Sequence, residues 1–146
     1  CARTMPDVPF RLIGVSGGAL ETLGDIPNNL EVLGKLPAED VIKHYQEAKV
    51  YCQLSMREGL PNAVCEAMLC GCIPVGSDVQ GVRTAIGEHG SLVPYGDVEA
   101  ACKAIRNALS TEDLGGREWI ISEFPERKRK ERLNELLDRL LGRPGQ

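Results

Sequence analysis

The sequence predicts an α/β domain, a three-layer sandwich whose mainly parallel sheet is covered by helices on both faces. Three observations lead there. Short runs that are apolar almost throughout, such as those within "PFRLIGVSGG" and "CIPVGS", recur along the chain, as strands buried on both faces do. Segments with apolar residues at three- and four-residue spacing separate them, the period of an amphipathic helix. The two kinds alternate, which is the pattern of βαβ crossovers.

From the N-terminus, "CARTMPDVPF" reads as the end of a helix feeding a first strand in "PFRLIGVSGG", whose glycines mark the following turn. "NNLEVLGKLP" holds a second strand from about Leu30 to Leu33. "AEDVIKHYQEAK" is a helix with Val41, Ile42, Tyr45 and Ala48 on one face, and "VYCQLS" is a third strand. A helix runs from Asn62 to Cys70 behind Pro61, with Val64, Met68 and Ala67 or Cys70 turned inward. "CIPVGS" and Ser91 to Val93 supply the fourth and fifth strands. In "DVEAACKAIRNAL", Asp97 is placed as the N-cap of a helix with the stripe Val98, Cys102, Ile105 and Leu109. The tail "ERKRKERLNELLDRLL", about residues 126–141, is a last helix with a seam of Leu133, Leu136, Leu137, Leu140 and Leu141. A doubly wound domain ordinarily begins one strand and one helix earlier. Residues 1–146 therefore read as a single-domain fragment with its first strand and helix missing.

Composition bounds the function. The 146 residues suit one domain or half of a two-domain protein, and 42% hydrophobic content is enough for a core. Seventeen Lys and Arg against 21 Asp and Glu give a net charge of -4, which argues against nucleic acid as a partner. Of the six cysteines (Cys1, Cys52, Cys65, Cys70, Cys72, Cys102), four lie in apolar runs. They read as reduced core thiols rather than a disulfide framework. Cys70 and Cys72 have no second pair or histidine at zinc spacing, so no metal site is expected. With no signal peptide and no apolar run near the ~20 residues of a membrane span, the chain reads as soluble and cytoplasmic.

The stretch most able to carry chemistry is "MREGLPNAVCEA", which turns from the third strand into a helix. Such a crossover lies at the carboxyl edge of the sheet, where open α/β folds bind ligands. Gly59 lets backbone approach a ligand, and the free N–H groups of Leu60, Asn62 and Ala63 with the helix dipole suit an anion such as a pyrophosphate. Glu66, one turn in, can accept hydrogen bonds from a ribose diol. Glu58, on the loop before the helix, stands where a bound sugar's hydroxyls would be. A dipole-stabilising role alone also accounts for Glu66.

The full run "REGLPNAVCEAMLCGCIPVGSDVQG" resembles the Glu-x7-Glu signature of group 1 glycosyltransferases, the retaining kind with the GT-B fold. "NNLEVLGKLPAEDVIKHYQEAKVYCQLS" resembles their preceding strand-helix-strand, and "HGSLVPYGDVEAACKAI" the stretch that follows. The resemblance implies the C-terminal, Rossmann-like half of that fold, which holds a nucleotide-diphosphate-sugar. The acceptor then sits mostly on an N-terminal domain missing from this chain. It implies that Glu58 is catalytic through the donor sugar's hydroxyls and that Glu66 meets the ribose. Gly59, Leu60 and Asn62 would meet the distal phosphate and sugar, and Gly34, Lys35 and Leu36 the base. Chemistry would be hexosyl transfer with no cofactor and no bound metal, and this fragment alone would be inactive.

Three departures qualify the resemblance. The family's basic pair for the diphosphate follows the first strand of this domain, which is absent. Lys35 and Arg57 are nearby but do not match it, and read as solvated surface charges. The usual Gly-Gly-x-x-Glu turn reads "QGVRTAI", with Gln80 and Thr84 in place of glycine and glutamate, which puts contacts at Gln80 and Gly81 in doubt. The catalytic histidine belongs to the missing half, so His44 and His89 receive no catalytic role. "ERKRKER" admits peripheral membrane contact, although a charged outer helix face is the simpler reading. A non-catalytic nucleotide-sugar module, or half of a GT-B-like epimerase, stays open as an alternative.

Overall fold

The computed structural model describes residues 1–125, 127, 128, 130, 131 and 135, with residues 19 and 20 by backbone only. After a 3-10 turn at Ala2–Thr4, strands and helices alternate. They are β1 (Phe10–Ile13), α1 (Gly18–Glu21), β2 (Leu30–Leu33), α2 (Ala38–Glu47), β3 (Val50–Gln53) and α3 (Asn62–Leu69). Next come β4 (Ile73–Ser77), α4 (Gln80–Ile86), β5 (Ser91–Val93), α5 (Val98–Ser110) and α6 (Gly116–Glu123).

All strand pairs are parallel. β1 pairs with β2, Phe10 opposite Leu30; β3, β4 and β5 pair in that order, with Val50 opposite Ile73 and Val75 opposite Ser91. Phe10 of β1 and Val50 and Cys52 of β3 pack on one core without joining the two ladders. β4, in the middle, is buried at every residue, as a strand covered on both faces must be.

The two faces have different covers. Ile73 and Val75 of β4 and Val93 of β5 pack against Ala101, Cys102, Ala104, Ile105 and Ala108 of α5, with Met5 and Val8 closing the cluster. Alanines on the contact face let α5 lie close to the strands. The opposite face is covered by Val64 and Met68 of α3, Val82, Ala85 and Ile86 of α4, and Ile120 of α6. Each fully buried apolar side chain of this kind contributes about 1.5–3 kcal/mol. Gly76 makes the α4 contact possible. A β-carbon there would stand 2.3 Å from Val82 Cγ1 and 3.0 Å from Ile86 Cδ1.

Several details differ from the sequence expectation. "QGVRTAI" is a helix rather than a turn, because Val82, Ala85 and Ile86 repeat at helical spacing and bury one face. α6 was not expected. It is fastened by Trp119 Nε1, which donates to the Ala85 carbonyl at 2.9 Å. Ile42 and Val98 are exposed at 43% and 50%, and Ala48 is the exposed C-cap of α2 rather than part of its buried face. On α2 only Tyr45 is buried. Pro61 is the N-cap of α3, in front of the helix as expected. Asp97 does cap α5, its Oδ1 accepting from Ala100 N at 2.8 Å. The leucine seam of the tail lies outside the described residues. Two tail cations are ion-paired, Lys128 with Glu123 at 3.1 Å and Arg127 with Glu131 at 3.4 Å. No helix among the described residues is long and apolar enough to cross a membrane.

Candidate functional site

The carboxyl ends of β3 and β4 open into two loops. From Gln53 the chain runs through Leu54 to Leu60 and enters α3 at Asn62; from Ser77 it takes two residues to enter α4 at Gln80. Pro61 has an extended backbone (φ -74°, ψ 106°), and its carbonyl accepts from Val64 N at 3.1 Å and Cys65 N at 3.4 Å. No side chain caps this helix start, so its first N–H groups lack intrahelical partners and carry the positive end of the dipole.

The β3–α3 loop touches the first turn of α4 through two glycines. A β-carbon on Gly81 would stand 1.3 Å from the Gly59 carbonyl oxygen and 2.6 Å from that of Glu58. Backbone lies directly on backbone there, and only glycine fits at position 81. Beside the contact is a cleft of about 360 Å³ lined by Glu58, Gly59, Leu60, Gln80, Gly81 and Thr84. Gln80 and Thr84 are exposed at its edge, and Thr84 Oγ1 donates back to the Gln80 carbonyl at 2.9 Å.

A polar chain runs from the sheet to this cleft. Tyr51 and Gln53 are two apart on β3 and so share a face. Tyr51 Oη donates to Gln53 Oε1 at 2.7 Å. Gln53 Nε2 donates to Ser55 Oγ at 2.6 Å and to Glu58 Oε1 at 2.7 Å. Burial pushes the Tyr51 phenol well above the ordinary tyrosine range, and the carboxylates of Glu58 and Glu66 push it the same way. The phenol therefore stays a donor. Tyr45, edge-on to Tyr51 at 5.5 Å, is raised by burial and by Glu66 as well.

Of the sequence-predicted residues, Glu58, Gly59 and Leu60 share the cleft. Asn62 and Glu66 are exposed on α3 and do not line the cleft. Gly34, Lys35 and Leu36 follow β2 and do not line the cleft; the Gly34 carbonyl accepts from Gly14 N at 3.2 Å. Lys35 and Arg57 are exposed, and Arg83 of α4 is ion-paired with Asp78. His44 Nδ1 lies 3.2 Å from Arg11 Nη1. His89 is bound to the Leu114 carbonyl at 2.6 Å and stacked on Trp119. Neither histidine reaches the cleft. Among the described residues no group of three or more His, Cys, Asp or Glu could hold a metal ion.

Sequence reasoning missed Gln53. A polar residue two after Tyr51 in an otherwise apolar strand was the signal. It also left Gly81 in doubt, because the close approach of Gly59 is a tertiary fact.

A family model for glycosyl transferases of group 1 matches residues 1–111. Among solved structures the fold is similar to sucrose-phosphate synthase from Thermosynechococcus elongatus, with a TM-score of 0.72 and 24% identity over 90% of this chain and 38% of that one. It is also similar to TarM, with a TM-score of 0.73 and 18% identity over 92% of this chain and 30% of that one. The chain thus spans well under half the length of these solved proteins. No curated protein sequence matches it.

Proposed function

Since the chain belongs to the group 1 glycosyl transferases, we propose that it is the half that binds a nucleotide-diphosphate-sugar donor. The observation that carries this reading is the cleft in which Glu58, Gly59 and Leu60 meet the start of α4. It lies beside an uncapped helix N-terminus, with Glu66 one turn along that helix. In this reading the N–H groups of Gly59, Leu60 and Asn62 receive the diphosphate, Glu66 a ribose diol, Glu58 the sugar hydroxyls, and the Gly34–Lys35–Leu36 loop the base.

Transfer is of the retaining, metal-independent kind, and the acceptor sits on an N-terminal domain across the cleft. A hexosyl donor is the simplest fit to a carboxylate that accepts from sugar hydroxyls. Donor-bound carboxylates and diphosphate add like charge, so cations must stabilise the leaving group; Lys35 and Arg57 are too exposed to supply that alone. A cytoplasmic location is part of this proposal, on the reading of the six cysteines as thiols, a state that persists under reducing conditions.

The test is an NMR titration of the chain with UDP-glucose, GDP-mannose and ADP-glucose, alongside the bare nucleotides. Glu66→Ala should weaken binding of nucleotide and nucleotide-sugar alike. Glu58→Ala should weaken only the sugar-bearing ligand. Amide shifts confined to surfaces away from residues 58–66 would sink the assignment.

A further inference from the structure

We propose that Gln53 is a positioning residue that holds the Glu58 carboxylate in one orientation for the donor sugar; this rests on the donor reading above. Glu58 stands on a loop, where a long side chain has rotamer freedom to lose. Gln53 does not. It is the last residue of β3, with its backbone in register opposite Gly76 of the buried strand β4. Its amide spans the gap between this fixed ladder and the loop.

The amide has one orientation. Tyr51 Oη supplies a hydrogen to Gln53 Oε1 at 2.7 Å, which leaves Nε2 to donate to Ser55 Oγ at 2.6 Å and Glu58 Oε1 at 2.7 Å. The flipped amide would set Oε1 against a carboxylate, which as an ion only accepts. Both amide hydrogens are therefore committed within the protein, and the two bonds that link Tyr51 through Gln53 to Glu58 run in one direction, from phenol to carboxylate, so that one polarises the next. Gln53 has no donor left for a ligand. It acts through Glu58, which lines the cleft and whose second oxygen has no partner among the described residues.

A carboxylate fixed this way discriminates by hydroxyl position, because a misplaced hydroxyl finds no acceptor. The effect belongs to the sugar and not to the nucleotide. Removing Gln53 should therefore change the ratio of nucleotide to nucleotide-sugar dissociation constants, while leaving the nucleotide constant nearly unmoved. A general loosening of the domain would change both.

Two measurements on the 146-residue chain decide it. In 1H–15N spectra the Gln53 side-chain amide should be shifted and slow to exchange, and Glu58→Ala should abolish both features. In titrations with UDP, GDP and ADP and their glucose conjugates, Gln53→Leu should lower the sugar-dependent gain by about three- to tenfold. Tyr51→Phe, which removes only the orienting hydroxyl, should lower it by less. An amide resonance indifferent to Glu58→Ala overturns the contact. A gain that falls in Glu58→Ala but not in Gln53→Leu overturns the positioning role. A gain absent in the wild type, or unaffected by Glu58→Ala, sinks the donor reading instead, and the amide resonance still decides whether Gln53 holds Glu58.

Discussion

Gly81 in the first turn of α4 lies directly on the Gly59 peptide, so close that a β-carbon at position 81 would stand 1.3 Å from the Gly59 oxygen. The relationship is one-sided. A β-carbon on Gly59 would meet nothing within 4 Å, and neither glycine has positive φ. Only packing distinguishes the two positions.

Gly81→Ala should therefore cost about 1–3 kcal/mol, the range for forced overpacking, despite alanine's better helix propensity. Gly59→Ala should stay within about 0.5 kcal/mol, as an unstrained surface substitution does. Urea unfolding of the two variants compares them directly. Equal costs would mean that the Gly59 loop and α4 do not meet as described.

The strands and longer helices were legible because their signals are local. Leu30–Leu33 and Ser91–Val93 have the predicted bounds, and Asp97 caps α5 as a side-chain oxygen at that position should. α4 was not legible. Its seven residues start at Gln-Gly with no side-chain cap, and the helix is held by Val82 and Ile86 settling over the missing side chain of Gly76. Val98 was misread because its place in the heptad-like stripe falls in the first turn of α5, where it remains half exposed. At the site, the sequence showed which residue types could meet a donor. It could not show that Gln53 reaches Glu58 across a five-residue separation, since that depends on how the loop folds back over the end of β3.

All six cysteines should titrate as thiols in denaturant. In the native chain at pH 8, Cys52 and Cys72 should react far more slowly, because burial pushes both thiols up to about 11 and the thiolate is the reactive form. Cys72 is further occupied, its Sγ donating to the Tyr45 carbonyl at 3.1 Å. Timed reaction with a thiol-specific disulfide reagent, read by mass at each site, checks this. Rapid native labelling of Cys72 would contradict it.

Arg106 grips Asp7 with both terminal guanidinium nitrogens, Nη1 and Nη2, at 2.5 and 2.6 Å, tying the N-terminal segment to α5. These hydrogen bonds hold the Asp7 carboxyl at about 2, below its usual 3.8. A depressed native value means the contribution is present above the ordinary one and is lost as pH falls from 3.8 towards about 2. Both side chains are largely exposed, so the effect should be small and sensitive to salt. Asp7→Asn should lower the melting temperature at pH 6 in dilute buffer. The difference should close near pH 2 and shrink in about 1 M salt. A gap unchanged by acid and salt would mean the pair does not act through charge.

Ser77 ends β4 with 1% of its surface exposed, and its Oγ has no hydrogen-bond partner among the described residues. Its backbone is engaged, the Ser77 carbonyl accepting from Val79 N at 2.8 Å. The hydroxyl alone is left over. A buried, unpaired polar atom carries a desolvation penalty of about 1–3 kcal/mol, whereas removing it loses only the small packing of one oxygen. Ser77→Ala should accordingly be neutral or stabilising in urea unfolding, by up to about 1–2 kcal/mol. Because Ser77 leads directly into α4, whose start lines the cleft with Glu58, the same variant should leave nucleotide binding intact if the hydroxyl plays no part there. A loss of stability above about 1 kcal/mol, the worth of an ordinary hydrogen bond, would show instead that Ser77 has a partner in solution. A selective loss of binding would place that partner in the ligand.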